Sequence, residues 1–249
     1  MREIIKISAI SFLGILFFSS CNHSTIAEEG VAAPRICIVG TGDNAKLMLT
    51  KSPKNYGSIF QFGSVIAWSG AGVKPVVEFN PSTLGGSWDK DWYISGTYPS
   101  HLVGNLKEGK GDPCRLIGFT VAEIKAAIKD KAASDSAPDN GKWRMPTQED
   151  YKELIGEDQY SDWTNIDGIN GRYIGPGATI DGAGGEFLPA GGYRSDDGQL
   201  LYQGGDGYYW RIPNQIISRG YELYLCTDNV YPQRPHSQAY GHSVRCVRQ

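Results

Sequence analysis

Short runs of hydrophobic residues, some continuous and some alternating with polar ones, mark the strands that this chain is expected to form. RICIVG (35–40) is a brief apolar run, and SVRCV (243–247) alternates in the manner of a half-buried strand. GYYWRI (207–212) and GYELYLC (220–226) are rich in the aromatic residues that favour strands. YGSIFQFGSVIAWSG (56–70) predicts short strands joined by ordered loops. We therefore expect a first strand at the start of this region and a small antiparallel sheet at the end of the chain.

Two segments carry helical periodicity together with a start signal. The first opens with a T-x-x-E capping box at 120–123. The second opens with Thr147 as a candidate N-cap and Asp150 three residues later. The apolar residues that share one helical face are Ile124, Ala127 and Ile128 in the first segment and Tyr151, Leu154 and Ile155 in the second. The sequence therefore predicts helices over residues 120–133 and 147–155.

Glycine is dense between residues 168 and 207, where regular patterning fades. Few helices tolerate glycine at this density, and the tyrosines and leucines interleaved with it are not typical of a flexible linker. The pattern predicts a long, ordered, mostly irregular loop region, followed by a hairpin that turns at SDDG (195–198). Strands, two helices, long loops and a final sheet indicate the α+β class, with one domain over residues 35–249.

The first 20 residues have the features of a secretory signal peptide. A positively charged start precedes an apolar run that is too short to span a bilayer as a stable helix. The run ends in FFSSC (17–21), which resembles a bacterial lipobox. Cys21 is therefore expected to carry lipid and to anchor the protein in the outer membrane, with the domain at the cell surface. An ordinary signal peptide cleaved near Ser20 is the alternative, and residues 21–34 follow as a polar tether.

Composition and motifs narrow the class of protein further. The chain has 249 residues and a formal net charge of −3, so it lacks the basic surface expected of a nucleic-acid-binding protein. No GxSxG or HExxH motif and no phosphate-binding glycine loop occurs. We therefore expect neither an enzymatic activity nor a cofactor.

Export would place the four remaining cysteines in an oxidising compartment. They are Cys37, Cys114, Cys226 and Cys246. Four cysteines allow three pairings, and the residues alone do not choose among them. No C-x-x-C pair occurs, so a zinc or redox motif has little support.

The stretch 226–242 mixes tyrosine, proline, glutamine, arginine and histidine, and its part from residue 230 onward shows no periodicity. Ordinary surface loops favour small and turn-forming residues, whereas binding surfaces are rich in aromatic and adaptable polar side chains. The composition therefore favours a binding surface over a plain polar loop. His236 and His242 are six residues apart, which fits no common zinc pattern, so we expect these histidines to be displayed for hydrogen bonding and no metal to be bound.

Six motifs occur in an order that resembles the Fibrobacter succinogenes major paralogous domain family of exported Bacteroidetes proteins. The motifs are GKGDPCRLIGFT (109–120), APDNGKWRMPT (137–147), GRYIGPGA (171–178), FLPAGGYRSDDG (187–198), GYYW (207–210) and GHSVRCVRQ (241–249). IFQFGS (59–64) and IAWS (66–69) are similar to the segments found near the start of such domains. The family is related to the C-type lectin-like fold, so the resemblance implies a single C-type lectin-like domain over about residues 35–249.

The region from YYW to SVRCV of some family members resembles the variable region of a diversity-generating retroelement, in which display positions vary on a constant framework. The resemblance implies that the ligand-binding display positions are Arg211, Asn214, Tyr224, Asp228, Tyr231, Gln233, Arg234, His236, Gln238, Tyr240 and His242. The framework positions would include Tyr208, Tyr209, Trp210, Leu223 and the SVRCV strand.

The resemblance also bears on the disulfides. Cys114 and Cys246 lie in framework-like motifs near the two ends of the domain, and we expect them to form a bridge. Cys226 occupies a display-like position and is expected to be free. A bridge between Cys37 and Cys226 is the main alternative.

Two classes of function fit these features. One is a surface receptor or adhesin whose partner is a surface protein or a glycan, and the other is a structural component of a fimbria, since related domains resemble fimbrial tips. An enzyme similar to the formylglycine-generating class is a remote third, because Cys226 and Cys246 are twenty residues apart instead of closely spaced. Calcium-dependent sugar binding of the C-type lectin kind is not expected, because WRIPNQ (210–215) lacks the acidic residue before its proline.

Overall fold

The computed structural model describes residues 35–40, 42–50, 56–65, 67–68, 111–129, 139–156, 159–175, 185–213 and 218–249. The helices are α1 (Val121–Lys129) and α2 (Gln148–Leu154). The strands are β1 (Arg35–Val39), β2 (Lys46–Thr50), β3 (Ile59–Gln61), β4 (Trp143–Arg144), β5 (Tyr160–Ile166), β6 (Ile169–Gly175), β7 (Glu186–Pro189), β8 (Tyr193–Arg194), β9 (Leu200–Leu201), β10 (Gly207–Arg211), β11 (Gly220–Leu225), β12 (Val230–His236), β13 (Gly241–Ser243) and β14 (Val247–Arg248). The predicted signal peptide, lipidated Cys21, tether and Asn214 lie outside the described residues.

The largest sheet has seven strands, with the order β12-β11-β10-β13-β8-β9 and with β3 paired to β13. Its pairs are antiparallel, apart from the parallel pair β10–β13. Three smaller sheets pair β1 with β2, β4 with β14, and β6 with both β5 and β7. Two helices with mostly antiparallel sheets place this protein in the α+β class, as the sequence predicts.

The largest sheet has a hydrophobic cluster against each face. Neighbouring residues of a strand point to opposite faces, so Tyr209 and Trp210 of β10 lie in different clusters. Trp210 packs with residues of β1, β2, β3 and α1 and with the cysteines at 114 and 246. Tyr209 packs with Leu223, with Tyr151 of α2 and with residues of β6 and β7. The strands that end the chain are therefore held rigidly from both sides.

Both helices begin where their capping signals predict. Thr120 and Glu123 exchange hydrogen bonds ahead of α1, with the Glu123 carboxylate accepting from the Thr120 backbone N–H at 2.6 Å. Thr147 caps α2, and its backbone N–H and side chain both donate to the carboxylate of Asp150. The predicted end of the first helix, near residue 133, lies outside the described residues.

The prediction of an irregular loop region after Trp163 is wrong for much of its length. Residues 160–175 form the regular hairpin of β5 and β6, and β7 adds a third strand. Glycine serves close packing here: a Cβ at Gly171 would lie 2.4 Å from the carbonyl oxygen of Leu188 on the neighbouring strand. The hairpin that turns at residues 195–198 is present and joins β8 to β9.

The aperiodic stretch from residue 230 is also regular in the structure. Val230–His236 forms β12, the edge strand, and its residues alternate between more and less exposed positions. Edge strands tolerate proline because the missing N–H can face solvent, which accounts for Pro232 and Pro235. The predicted strand 243–247 is instead divided between β13 and β14.

The structure confirms the predicted bridge between Cys114 and Cys246, whose Cα atoms are 5.6 Å apart across a sequence separation of 132 residues. Cys226 is a free thiol, so the alternative bridge to Cys37 is not formed. Among the described residues, no helix combines the length and the hydrophobicity needed to cross a bilayer.

Candidate functional site

One face of the largest sheet packs partly against the hydrophobic cluster around Trp210. The rest of that face carries aromatic and polar side chains. The strand register pairs Tyr208 of β10 with Tyr224 of β11, and Tyr224 with Tyr231 of β12. Residues paired across a sheet share a face, so these three tyrosines lie side by side. A bulge in the β11–β12 pairing places Arg234 opposite Glu222, on the same face.

Three more tyrosines extend this surface. The ring of Tyr193 stacks on the ring of Tyr240, with centroids 5.2 Å apart, and on the ring of Tyr202, with centroids 5.9 Å apart. Tyr193 also meets Tyr208 edge-on at 4.9 Å, which joins the two groups of rings. We call Tyr193, Tyr202, Tyr208, Tyr224, Tyr231 and Tyr240 the tyrosine face.

Exposure rises from the centre of the tyrosine face to its rim. Tyr208 is 4% exposed, whereas Tyr231 is 46% and Tyr202 62% exposed. The guanidinium of Arg234 lies 4.1 Å from the centroid of the Tyr224 ring, a cation–π contact that holds this partly exposed cation in place. The surface therefore offers a partner rigid aromatic rings and a positioned positive charge.

Tyr202 has a backbone conformation that tyrosine rarely adopts. Its φ angle is 56°, in the left-handed region that favours glycine. The backbone N–H of Asp206 donates to the carbonyl of Tyr202 at 3.0 Å and closes the turn between β9 and β10. The turn therefore presents a large exposed ring at a position where glycine would cost less strain.

A cluster of ionisable side chains lies beneath the tyrosine face. Glu222 of β11 and His242 of β13 are fully buried, and His236 of β12 is partly buried. Nδ1 of His242 lies 2.8 Å from Oε2 of Glu222, and the His242 ring stacks on Trp210 with centroids 3.7 Å apart. The His236 ring meets the rings of His242 and Tyr240 at 5.0 and 4.6 Å. We call Glu222, His236 and His242 the Glu–His–His cluster.

Burial makes the charged forms of all three groups unfavourable. It raises the pKa of Glu222 to about 8, although the neighbouring His236 and Arg234 act in the opposite direction. Burial also lowers the pKa of His236 to about 4, with a further lowering from His242. The pKa of His242 is held well below its ordinary value by burial and by the positive charge of Arg234. Burial therefore favours the neutral forms of both imidazoles and of the carboxyl group.

An open cleft of about 380 Å³ lies next to the tyrosine face and reaches this cluster. It is lined by residues just before β11 and by residues at and after the end of β12, including Arg219, His236, Ser237 and Tyr240. His236 therefore connects the solvent-filled cleft with the buried Glu222 and His242.

The structure brings five of the predicted binding residues together. Tyr224, Tyr231, Arg234, His236 and Tyr240 lie on or among the tyrosine face. The expectation of display is wrong for His242, which is fully buried beneath this face.

The other predicted residues lie elsewhere. Arg211 is only 1% exposed. It follows Trp210 in β10, so strand alternation directs its side chain to the sheet face opposite to the tyrosine face. Its guanidinium lies over the ring of Tyr221 there. Gln238 is 5% exposed, so it is not displayed either. Gln233 is exposed but hydrogen-bonds to Gln148 of α2. Asp228 is exposed in the turn between β11 and β12.

Four residues of this site were not predicted as binding residues. In the sequence, Tyr193 and Tyr202 belong to the predicted ordered loop region and Tyr208 to the framework positions. Glu222 was not predicted to belong to a site. In GYELYLC the alternation of Glu222 and Tyr224 with leucine indicates that these two share the sheet face opposite to Leu223 and Leu225. That pattern was the available signal.

Comparison of the chain with protein-family models, with curated proteins and with solved structures found no match. The fold and the site geometry define an α+β protein with an aromatic surface, and its membership of a family stays a prediction from the motifs.

Proposed function

We propose that this protein is an exported lipoprotein with a C-type lectin-like domain, and that it binds a glycan or a protein of another surface through the tyrosine face. The observation that carries the proposal is the surface itself: six tyrosines in mutual contact, with Arg234 stacked among them. Tyrosine and arginine are the residues that dominate binding energies at interfaces, because they present large, amphipathic surfaces with little freedom to lose.

The support beneath these rings favours binding over a purely structural role. Tyr208 and Tyr224 lie on strands whose other face is packed against a hydrophobic cluster, so the rings are positioned before a partner arrives. The strained backbone of Tyr202 is also better explained by the presentation of its ring than by the needs of a turn. A fimbrial role would use an edge strand for pairing, and the prolines of β12 disfavour such pairing.

The test compares a double variant, Tyr202→Ala with Tyr231→Ala, with wild type on an immobilised glycan array and in a pull-down from cell-surface extracts. Both rings are exposed, so the variant is expected to fold, and the affinity for the retained probe should fall at least about tenfold. Tyr160→Ala is the matched control, since Tyr160 is a 37% exposed tyrosine on β5, in a different sheet. Equal binding by the double variant, or no retained probe in either experiment, would contradict the proposal.

The anchor is a separate part of the proposal and has its own test. Cys21→Ser removes the thiol to which lipid would be attached, so the protein should move from the membrane fraction to a soluble fraction. Fractionation of cells that express wild type and Cys21→Ser measures this, and Cys226→Ser serves as the control cysteine. Unchanged membrane retention of Cys21→Ser would contradict lipid anchoring.

A further inference from the structure

Three strands contribute one side chain each to the Glu–His–His cluster. One ligand-type atom from each of Glu222, His236 and His242 lies within 4.8 Å of the other two. Glu222 and His242 are 0% exposed, and His236 lines the cleft. The cluster thus combines two buried side chains with a third that faces the cleft.

The polar atoms of this cluster lack hydrogen bonds. In the part of the chain that the structure describes, no hydrogen bond reaches either carboxylate oxygen of Glu222, either ring nitrogen of His242, or Nδ1 of His236. Nδ1 of His242 is close to Oε2 of Glu222, at 2.8 Å, but the two are not aligned as a hydrogen bond. A buried polar atom without a partner costs about 1–3 kcal/mol, so five such atoms at one point favour the binding of a group that would interact with them.

We propose that Glu222, His236 and His242 bind one divalent transition-metal ion of the Zn²⁺ class. Two imidazoles and one carboxylate form a ligand set that suits Zn²⁺ and its first-row neighbours, whereas Ca²⁺ and Mg²⁺ prefer oxygen ligands throughout. Zinc sites with three protein ligands keep a further position for water or for a bound molecule. Here that position would face the cleft, on the side of His236.

The distances permit such a site after small movements of side chains. Ligand atoms around a tetrahedral Zn²⁺ lie about 3.4 Å apart, because each is about 2.1 Å from the metal. The ligand atoms of the cluster lie within 4.8 Å of one another, so each needs to move by only about an ångström, and His236 lines the cleft. Glu222 would bind the ion as a carboxylate, because only the deprotonated form is a metal ligand.

Positive charge near the cluster disfavours a bound cation and allows a competing explanation for the close approach of Glu222 and His242. Nε of Arg234 is 4.0 Å from Oε1 of Glu222, and Arg219 lines the same cleft as His236. With these cations present, Glu222 and His242 could instead share one proton in a neutral hydrogen bond. The two explanations differ in whether the protein takes up metal.

The experiment titrates Zn²⁺ into the full chain, purified with a histidine-free tag and stripped with EDTA, and follows binding by calorimetry. We expect one Zn²⁺ per chain and a rise in melting temperature, since an ion that binds only the folded state stabilises it. Ca²⁺ and Mg²⁺ should give neither effect. Co²⁺ should give the visible absorption of a four-coordinate site. The proposal does not depend on the proposed partner binding, because an ion can be held without any other ligand.

Two ligand variants and two matched controls locate the site. Glu222→Gln and His236→Gln should each weaken Zn²⁺ binding at least about tenfold. Asp228→Asn removes an exposed carboxylate from the adjoining turn, and His101→Gln removes a histidine that is not one of the three; both should bind Zn²⁺ as wild type does. Circular dichroism checks that each variant folds.

The outcomes separate the explanations. Absence of saturable Zn²⁺ binding by wild type overturns the proposal and favours the shared proton. Binding that persists in both folded ligand variants also overturns it, because the ion then lies elsewhere. If the ligand variants fail to fold, X-ray absorption of the zinc-bound wild type decides, since the proposal requires two imidazole ligands and fails with fewer.

Discussion

At the scale of single residues, the aromatic packing next to the tyrosine face depends on a glycine of β11. Gly220 opens β11 opposite His236, and a Cβ built there would lie 2.6 Å from the ring of Trp210 and 2.9 Å from the ring of Phe62. Those two rings already meet edge-on at 5.2 Å, and His242 stacks on Trp210. Glycine is therefore required for the close approach of β11 to the aromatic core.

Gly220→Ala should lower the free energy of unfolding by about 1–3 kcal/mol, because overpacking displaces buried rings that cannot move aside freely. The measurement is urea unfolding followed by tryptophan fluorescence. Gly205→Ala is the control: its Cβ would meet only the Tyr202 carbonyl at 3.5 Å, so its effect should stay within about 0.5 kcal/mol. Equal stabilities for the two variants would contradict this account of Gly220.

At the scale of elements, α2 begins with a capping box that a salt bridge reinforces. The Asp150 carboxylate accepts from the Thr147 backbone and side chain and from both terminal nitrogens of Arg144, at 2.6 and 3.0 Å. Burial by itself would raise the pKa of Asp150, but the hydrogen bonds from Arg144 and Thr147 outweigh it and lower that pKa to about 2. The start of α2 is thus linked to β4 by a charged contact.

Asp150→Asn should lower the free energy of unfolding at neutral pH by about 1 kcal/mol, after allowance for solvent screening of a partly exposed group. The Asp150 carboxylate stabilises the fold above the pKa of the unfolded chain, about 3.9, and this contribution is lost as the pH falls through about 2. The difference between wild type and variant should therefore shrink from pH 7 to pH 2, as measured by urea unfolding at each pH. Glu153→Gln, at an exposed position of the same helix, is the control, and its free energy of unfolding at neutral pH should stay within about 0.5 kcal/mol of wild type.

At the scale of the whole molecule, one bridge ties the start of the helical region to the end of the chain. Cys114 and Cys246 are both fully buried within the cluster that contains Trp210. The Asp112 carboxylate accepts hydrogen bonds from the backbone N–H groups of Cys114 and Met145, each at 2.9 Å, and so holds this region to β4. This cross-linked core adjoins the tyrosine face on the same side of the largest sheet.

Replacing both cysteines by alanine should lower the free energy of unfolding by about 4–5 kcal/mol, the chain-entropy value for a loop of 132 residues. Differential scanning calorimetry measures the loss. Cys226→Ala, which removes a free thiol, should differ little from wild type. Non-reducing peptide mapping should join the peptides of Cys114 and Cys246 and leave Cys226 open to alkylation, and a different partner for Cys114 or Cys246 would contradict this assignment.

Features that depend on neighbours in the chain were open to prediction from the sequence. The helix starts at Thr120 and Thr147 follow from contacts between residues three apart, and both are present. The strands at 35–39, 207–211 and 220–225 follow from runs of apolar and aromatic residues.

Features that depend on pairing between distant segments were decided only by the tertiary structure. β12 is a strand because β11 offers it a partner, although its own sequence has no strand periodicity. Gly171 belongs to a strand because it lets β7 come close, which a count of glycines cannot reveal. The two parts of the site differ in the same way. Tyrosine, arginine and histidine near the end of the chain indicated a contact surface from the sequence alone. The proximity of Glu222, His236 and His242 depends instead on the strand order β12-β11-β10-β13. Sequence spacing holds no record of that order, because hydrogen bonds between strands join residues that the chain places far apart.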